Sequence, residues 1–264
     1  MTLLRCFYER PFAHRALHDV TDGRPENSRA AIRAAIAAGY GIEIDVQLSA
    51  DGHAMVFHDY GLERLTGTEG DVRERTAEDL EKVVLLGGTE GIPDLAEVLT
   101  LINGRVPLLV EIKDQDGDMG TAIGPLEHAT AQALASYDGP VAVMSFNPHS
   151  VAEMARICPD IPRGIVTSAY RSEDWPLSPA ICNRLRDIPD YDRVGACFIS
   201  HEVDDLARPR VAELKAQGAM IACWTVTNAE QEREARKIAD NITFEQYRAT
   251  FSALTMNATP HIVT

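Results

Sequence analysis

The sequence contains acidic residues two positions apart within short apolar runs, an arrangement that could bind a cation. Glu43 and Asp45 lie in the run GIEIDV, and Glu111 and Lys113 repeat the spacing in LLVEIK. Residues two apart on a β-strand point to the same face, and buried carboxylates need a cation or a proton to be stable. A salt bridge to a nearby lysine or arginine would satisfy the first pair, but three carboxylates also form an oxygen-ligand set that suits Mg²⁺ or Ca²⁺. We therefore expect Glu43, Asp45 and Glu111 to hold one divalent cation.

Two histidines and two basic residues accompany these acids. His14 and Arg15 follow the run PFA, and His58 ends the run AMVFH. Histidine exchanges protons near neutral pH, while Arg15 and Lys113 suit an anionic phosphodiester, arginine through its planar fork and lysine as a point charge. A metal, two proton carriers and two cations together suit cleavage of a phosphate ester. Each residue alone has an ordinary structural explanation, so the prediction depends on all of them meeting at one place.

Short apolar or β-branched runs alternate with helix-like stretches, and these elements must position the candidate residues. Strands are predicted at eight places: Phe12–His14, Gly41–Val46, Ala54–His58, Pro107–Ile112, Val141–Ser145, Arg163–Thr167, Val194–Ile199 and Met220–Thr225. Helices are predicted at Ser28–Ala38, Asp94–Ile102, Thr121–Ser136, Ser150–Ile157, Pro209–Gln217 and Ala229–Arg236. Such alternation implies a parallel sheet, and eight units favour a closed barrel over an open sheet. The predicted fold class is therefore α/β, a (β/α)8 TIM barrel.

The barrel prediction explains where the chemistry should lie. Barrel enzymes place their active sites at the C-terminal ends of the strands, which is where the candidate acids, histidines and cations fall along the predicted strands. Residues 61–91 are too long for an ordinary loop and are predicted to form a small insertion after the third strand. Residues 1–264 are thus expected to form one domain.

Composition narrows the classes of partner and compartment. The 264 residues carry a formal net charge of −15, which argues against general binding to nucleic acid. No run approaches the length of a membrane span, and the N-terminus lacks the apolar core of a signal peptide. Five scattered cysteines without a CxxC pair indicate reduced thiols in a cytoplasmic protein. The expected partner is a small phosphodiester, and a homo-oligomer is compatible with the sequence.

The same residues carry a resemblance to a known family. The segment AHRALHDVTDGRPENSRAAIRAAIAAGYGIEIDVQLSADGHAMVFHD resembles the N-terminal signature of glycerophosphodiester phosphodiesterases, which has an HR pair, then PEN, then GxExDVxxxxDG, then VxHD. IPDLAEVL, PLLVEIK, MSF and WTV follow in the family's order, so the resemblance extends from about Phe12 to Thr227. It implies a barrel, a divalent cation and hydrolysis of a glycerol-linked phosphodiester to glycerol 3-phosphate and an alcohol.

The resemblance also assigns roles by position. It makes Glu43, Asp45 and Glu111 the metal ligands, His14 and His58 the acid/base pair, Arg15 and Lys113 the phosphate-binding residues, and Glu26, Phe146 and Trp224 residues that line the substrate. Asn27 is as well suited to capping a helix as to a functional role. The sequence does not say which histidine is the acid.

Two departures from the family pattern bear on substrate choice. The family usually has HRG, whereas Ala16 follows the pair here, so the loop is expected to differ locally. The closing GxDGIxTDxP-like segment is only weakly recognisable in KIADNITFEQYRATF, and Asn228 is a candidate for the asparagine expected after WTV. Two alternatives stay open: a lysophospholipase D-like or sphingomyelinase D-like enzyme, which needs an apolar groove at the rim, and a non-catalytic phosphodiester-binding barrel. The polar loops favour water-soluble diesters.

Overall fold

A computed structural model of the protein describes residues 3–251. Its helices are α1 Cys6–Glu9, α2 Arg29–Ala38, α3 Glu63–Thr66, α4 Ala77–Leu80, α5 Leu95–Ile102, α6 Pro125–Leu134, α7 Pro148–Ile157, α8 Pro179–Arg186, α9 Pro209–Ala216 and α10 Ala229–Ala235. Its strands are β1 Phe12–Ala13, β2 Gly41–Leu48, β3 Ala54–Val56, β4 Leu108–Ile112, β5 Val141–Ser145, β6 Arg163–Thr167, β7 Phe198–Glu202, β8 Met220–Val226 and β9 Asn241–Phe244. No helix within these residues is long and apolar enough to cross a bilayer.

Eight parallel strands close into a barrel, which confirms the predicted fold class. The order around the barrel is β1, β2, β4, β5, β6, β7, β8 and β9, and β9 pairs with β1 to complete the circle. Strand β3 lies outside the circle and pairs antiparallel with β2. The architecture is thus a TIM barrel with one extra strand.

The prediction that Ala54–His58 forms the third strand of the barrel was wrong. Only Ala54–Val56 is extended, and a tight turn containing Gly52 at φ 86° returns the chain from β2 to β3. A parallel crossover needs a dozen or more residues, whereas this connection has room only for a hairpin. The eighth barrel strand is Asn241–Phe244, which the strand prediction missed.

The seventh predicted strand was displaced along the chain. Val194–Ile199 was expected, but β7 is Phe198–Glu202, because the segment before it makes turns. The amide of Val194 donates to the carbonyl of Asp190, and Gly195 has φ 61°. The displacement changes which residues of this strand reach the C-terminal mouth of the barrel.

Alternation along each strand separates the helix layer from the barrel interior. On β2, Ile42 and Ile44 belong to the large core between barrel and helices, whereas Glu43 and Asp45 point to the opposite face, into the barrel. The lower interior is filled by a second apolar cluster that includes Phe12 and Phe198. This packing closes the N-terminal end, so the polar interior residues lie towards the other end.

Two glycines make room for the rings that fill the barrel. A Cβ at Gly41 would meet the ring of Phe12 at 2.7 Å, and one at Gly164 would meet the ring of Phe198 at 2.4 Å. These distances are far below van der Waals contact, so any side chain there would displace a buried ring. The cost of losing such packing is on the order of 3 kcal/mol.

Polar side chains and a glycine define the ends of two helices. The side chain of Ser28 accepts from the amide of Ala31 at the start of α2, and Gly39 ends that helix in the left-handed conformation. Asp94 caps α5 in the same way. Ser28 rather than Asn27 is therefore the cap of α2, which leaves the side chain of Asn27 free for another role.

The insertion between β3 and α5 has a small core of its own. Residues 61–91 contain α3, a 3-10 helix at Val72–Glu74 and α4. Leu62, Val72 and Leu80 pack there with Phe57, which follows β3. The insertion is therefore an ordered addition on the outside of the barrel, next to the mouth.

Candidate active site

Three buried carboxylates meet inside the barrel at its C-terminal end. Glu43 and Asp45 face inward from β2, and Glu111 lies beside Asp45 in the register of β4. One oxygen of each lies within 4.8 Å of the others. The strand alternation that the sequence predicts is what brings these acids together.

The basic residues around this acidic cluster neutralise only part of it. Lys113 Nζ lies 2.8 Å from Glu111 Oε1 and 3.4 Å from Asp45 Oδ1. Burial alone would lower the pKa of the Lys113 ammonium, but the two carboxylates outweigh burial and raise it. Burial likewise opposes ionisation of Asp45, yet its cationic neighbours lower its pKa to about 2.

Glu43 is the member of the cluster that remains uncompensated. Burial, followed by the charges of Asp45 and Glu111, raises the pKa of Glu43 well above its ordinary value. An all-oxygen donor set with excess negative charge is what a hard divalent cation requires. The cluster therefore fits such an ion.

The loop after β1 brings a guanidinium and an amide to the carboxylates. The amide of Arg15 donates to Glu43 Oε2 at 2.9 Å, and the Arg15 guanidinium donates to Glu26 Oε1 at 2.7 Å. Asn27 Nδ2 donates to Asp45 Oδ2 at 3.0 Å. Asn27 thus belongs to the site, a contact that its sequence position beside Glu26 suggested only weakly.

Ala16 replaces the glycine of the family pattern, and its backbone has the conformation that favours glycine. Its φ is 64°, in the left-handed region that favours glycine, and Arg15 beside it has φ 51°. Ala16 is buried, and its amide donates to the carbonyl of Glu43. The backbone therefore takes the turn that a glycine would allow, at a strain of about 1 kcal/mol for alanine.

His14 is held by a carboxylate from the last barrel strand. His14 Nδ1 donates to Glu245 Oε2 at 2.7 Å, and His18 Nε2 lies 3.5 Å from the same oxygen. The hydrogen bond from His14, with His18 adjacent, keeps the pKa of Glu245 well below its ordinary value. An ionised Glu245 fixes the His14 ring and leaves Nε2 for proton transfer.

His58 is held by a matching carboxylate. His58 Nδ1 donates to Asp59 Oδ1 at 2.6 Å, and Arg64 donates to both oxygens of Asp59. Burial opposes ionisation of Asp59, but the hydrogen bonds from His58 and Arg64 keep its pKa well below the ordinary value. Arg64 also donates to Glu26 at 2.8 Å, which links this pair to Arg15.

All of the predicted site residues except Glu26 line one cavity of about 170 Å³. Glu26 lies behind it, bonded to Arg15 and Arg64. Phe146 and Trp224 form a wall, with their rings edge to face and 5.5 Å apart. Trp224 Nε1 donates to the carbonyl of Ser200 at 3.1 Å, which fixes the plane of the indole. Asn228 instead caps α10.

A second cavity of about 460 Å³ adjoins the first, and we call it the apolar trough. Its walls include Tyr60, Met119 and Trp175. The two cavities share four lining residues: His58, Glu111, Lys113 and Phe146. The loops around the mouth are therefore not all polar, and Trp175 comes from the segment after β6.

Sequence reasoning missed the residues that hold the histidines. Glu245 follows β9, a strand that was not predicted, so the position of Glu245 at the barrel mouth could not be predicted either. Asp59 is adjacent to His58 in the HD pair, a signal that was present but was not interpreted as a contact. Arg64 lies in the insertion and carries no motif that would indicate its role.

Comparisons with known proteins agree with this geometry. The chain matches the model of the glycerophosphoryl diester phosphodiesterase family over residues 14–243. A glycerophosphodiester phosphodiesterase of Caldanaerobacter subterraneus is 33% identical over 165 residues, 58% of this chain and 66% of that protein. Human glycerophosphodiester phosphodiesterase 1 is 29% identical over 205 residues, 74% of this chain and 57% of that protein. The match thus spans about two thirds of the Caldanaerobacter protein and less than two thirds of the human protein.

A solved structure shows the same fold. The structure of a phosphodiesterase from Oleispira antarctica in complex with the product sn-glycerol-3-phosphate has a TM-score of 0.75. The match covers 91% of this chain and 94% of that chain, at 23% sequence identity. At this identity the likeness concerns the barrel fold.

Proposed function

The chain belongs to the glycerophosphoryl diester phosphodiesterase family, and we propose that it hydrolyses glycerophosphodiesters to glycerol 3-phosphate and an alcohol. The observation that carries the proposal is the convergence of the Glu43, Asp45 and Glu111 carboxylates with two carboxylate-held histidines around one cavity. A barrel that only binds a phosphate has no need of two histidines whose Nδ1 atoms are held by carboxylates.

Glu43, Asp45 and Glu111 would hold one divalent cation, Mg²⁺ or Ca²⁺. Bound there, the ion would supply charge stabilisation for the phosphate oxygens. Glu43 would ionise fully in its presence, because the excess negative charge that raises its pKa would be balanced. Asn27 would keep the Asp45 carboxylate oriented through its hydrogen bond.

His14 and His58 would move the protons. One of them takes a proton from the attacking water or from a neighbouring hydroxyl of the substrate, and the other donates a proton to the leaving alcohol. Glu245 and Asp59 hold the Nδ1 atoms, so each ring can exchange its proton only through Nε2. The near-symmetry of the two pairs leaves the assignment of acid and base open to the pH profiles of the single variants.

Arg15 and Lys113 would bind the phosphate. In the present arrangement both are engaged with carboxylates, Arg15 with Glu26 and Lys113 with Glu111. With an ion held by Glu111, the Lys113 ammonium would be available to a phosphate oxygen of the substrate. Arg15 and Lys113 thus offset part of the negative charge of the carboxylates in the free protein and would bind the phosphate in the complex.

The test is an assay of glycerol 3-phosphate release. Purified protein is incubated with glycerophosphocholine or glycerophosphoethanolamine in Mg²⁺, Ca²⁺ or EDTA, beside the variants His14→Ala and Glu43→Ala. We expect release that requires a divalent cation and is lost in both variants. A folded protein that binds the ion and releases no product with either substrate would refute this substrate assignment; lysolipid substrates would be tested next, and a binding barrel would be favoured only if those also failed.

A second candidate function is favoured by the apolar trough. Lysophospholipase D-like and sphingomyelinase D-like enzymes act on diesters with acyl chains, which need apolar surface beside the site. The trough adjoins the site cavity through His58 and Phe146. Lysophosphatidylcholine is therefore assayed in parallel by choline release, because its products would be lysophosphatidic acid and choline. Faster choline release from it than from glycerophosphocholine would support this candidate.

A further inference from the structure

The apolar trough is continuous with the cavity that holds the acidic cluster. His58 and Lys113 line both spaces, and the ring of Phe146 stands where they meet. A phosphate placed at the acidic cluster would therefore have one of its ester arms directed into the trough. The trough is the larger space, at about 460 Å³ against about 170 Å³.

Polar contacts of Asp114 fix the floor of the trough. The hydroxyl of Tyr60 donates to the carbonyl of Asp114 at 2.6 Å, and the amide of Met119 donates to Asp114 Oδ2 at 3.0 Å. Asn147 Nδ2 donates to Asp114 Oδ1 at 2.7 Å, and both of these side chains are buried. Segments that are distant in sequence are thus tied together beneath the apolar walls, so the trough is preformed.

Trp175 forms the far wall and is itself supported. Its ring lies 5.1 Å from the ring of Phe146 and 4.9 Å from that of the buried Tyr170. Aromatic packing of this kind holds the indole in place before a ligand binds, so binding loses little side-chain entropy. An apolar group in the trough would meet a fixed surface.

The interior of the site cavity offers a different chemistry. Ser200 on β7 and Thr243 on β9 line the cavity and are 1% exposed, and their hydroxyl oxygens have no hydrogen-bond partner among the described residues. Ser200 shares its inward face with Phe198, and Thr243 alternates with the outward Ile242 and Phe244. Buried hydroxyls without partners are costly, and a polyol would satisfy both.

We propose that the substrate is bound in one orientation, as a glycerol phosphate ester of an alcohol that carries a single alkyl chain. The glycerol arm contacts Ser200 and Thr243, and the alkyl arm occupies the trough. This inference rests on the proposed function. Water adds to phosphorus, the bond from phosphorus to the alcohol oxygen breaks, and that oxygen takes up a proton, which gives glycerol phosphate and a long-chain alcohol.

The test is a series of glycerophospho-alkanols of increasing chain length, from ethyl to octyl, assayed below their aggregation concentrations with the ion-loaded full chain. We expect kcat/KM to rise with length by up to about fourfold for each added methylene that leaves water. Glycerophosphocholine, whose alcohol is charged and short, is the reference substrate in the same assay.

Two variants separate the two arms. Trp175→Ala should flatten the dependence of kcat/KM on chain length, whereas Trp175→Phe should restore most of that dependence. Ser200→Ala should lower kcat/KM by about two- to tenfold for every member of the series, without changing the dependence on length. Leu86→Ala is the matched control, because Leu86 is an exposed apolar residue of the insertion and lines neither cavity.

The outcomes distinguish failure of this inference from failure of the proposed glycerophosphodiesterase function. Hydrolysis of glycerophosphocholine with no dependence on alkyl length would overturn the assignment of the trough and leave the proposed function intact. Faster hydrolysis of lysophosphatidylcholine than of the octyl ester would place the chain on the glycerol arm and overturn the orientation. Failure of every diester would overturn the proposed function, and this inference with it.

Discussion

The two halves of the barrel mouth differ in charge. Strands β9, β1, β2 and β4 are contiguous, and they or the segments that follow them bring acids, bases and histidines to the site. Strands β5 to β8 are also contiguous, and they contribute Met144, Phe146, Val166, Ser200 and Trp224 to the same cavity. We call these the charged half and the neutral half.

This division suggests that chemistry and recognition are separable. Binding an ion, holding a phosphate and moving protons require charges close together, which is stable only where acids and bases compensate one another. A neutral wall opposite them strengthens those interactions and adds no competing charge. Substitutions in the charged half should therefore lower kcat for every substrate by large factors, while those in the neutral half should change substrate binding, substrate choice or stability.

The largest effect is expected from the acidic cluster. Glu43→Gln should lower kcat at least about a thousandfold, because loss of the ion removes several kcal/mol of transition-state stabilisation. Calorimetric titration should show weaker binding of Ca²⁺ or Mg²⁺ alongside the loss of turnover. Glu127→Gln is the matched control, since Glu127 is also a buried glutamate but caps α6 away from the site, and its activity should stay near wild type.

Loss of a proton carrier should come next. His14→Ala and His58→Ala should each lower kcat by about 10² to 10⁴-fold, with ion binding retained. Each variant should lose a different limb of the pH–rate profile, which would assign the acid and the base. His128→Ala serves as control because that histidine is exposed and lies outside both cavities; equal losses in all three variants would refute the assignment.

Glu245 should have a smaller effect, because it acts through His14. Glu245→Gln should lower kcat by roughly 10- to 100-fold, less than removal of the histidine itself. The pKa of Glu245 lies below its ordinary value of 4.5, so its ionised form adds stability above pH 4.5 that is lost as the pH falls further. Urea unfolding across this range should show a weaker pH dependence in Glu245→Gln, and an unchanged one would exclude the ion pair.

The smallest effect on activity is expected from a histidine of the neutral half. His201 is buried and forms hydrogen bonds with Thr167 Oγ1 and Asp205 Oδ2. Burial lowers the pKa of the His201 imidazole below its ordinary value of 6.5. The unfolded chain then binds the proton more readily, so the stability is complete above pH 6.5 and declines as the pH falls below it. His201→Gln should flatten that decline in thermal unfolding and leave kcat within about threefold of wild type. A large loss of kcat would break the division between the halves.

Sequence and structure agree best in the charged half. The i, i+2 spacing of Glu43 and Asp45 predicted a shared face, and parallel pairing then placed Glu111 beside Asp45. Local pattern is sufficient there because adjacent barrel strands align in register. The contacts that the sequence did not reveal, such as Glu245 with His14, join residues at opposite ends of the chain and depend on barrel closure.

The neutral half could be predicted less well. The displaced β7 hid Ser200 at the cavity, and the trough is assembled from four segments, at residues 58–60, 111–119, 146 and 175–176. Trp175 in particular lies in an irregular stretch, and only its packing on Tyr170 and Phe146 reveals a wall. Surfaces made by loops depend on tertiary contacts that no short pattern encodes.

The central claim is that one divalent ion at Glu43, Asp45 and Glu111 makes this chain a phosphodiesterase. The most direct test is to add Ca²⁺ or Mg²⁺ stepwise to ion-free protein and to measure bound ion and initial rate of glycerophosphocholine hydrolysis in the same samples. The account predicts that the rate rises in proportion to occupancy of one site per chain. Full activity in the ion-free protein, or occupancy of the site with no turnover, would contradict it.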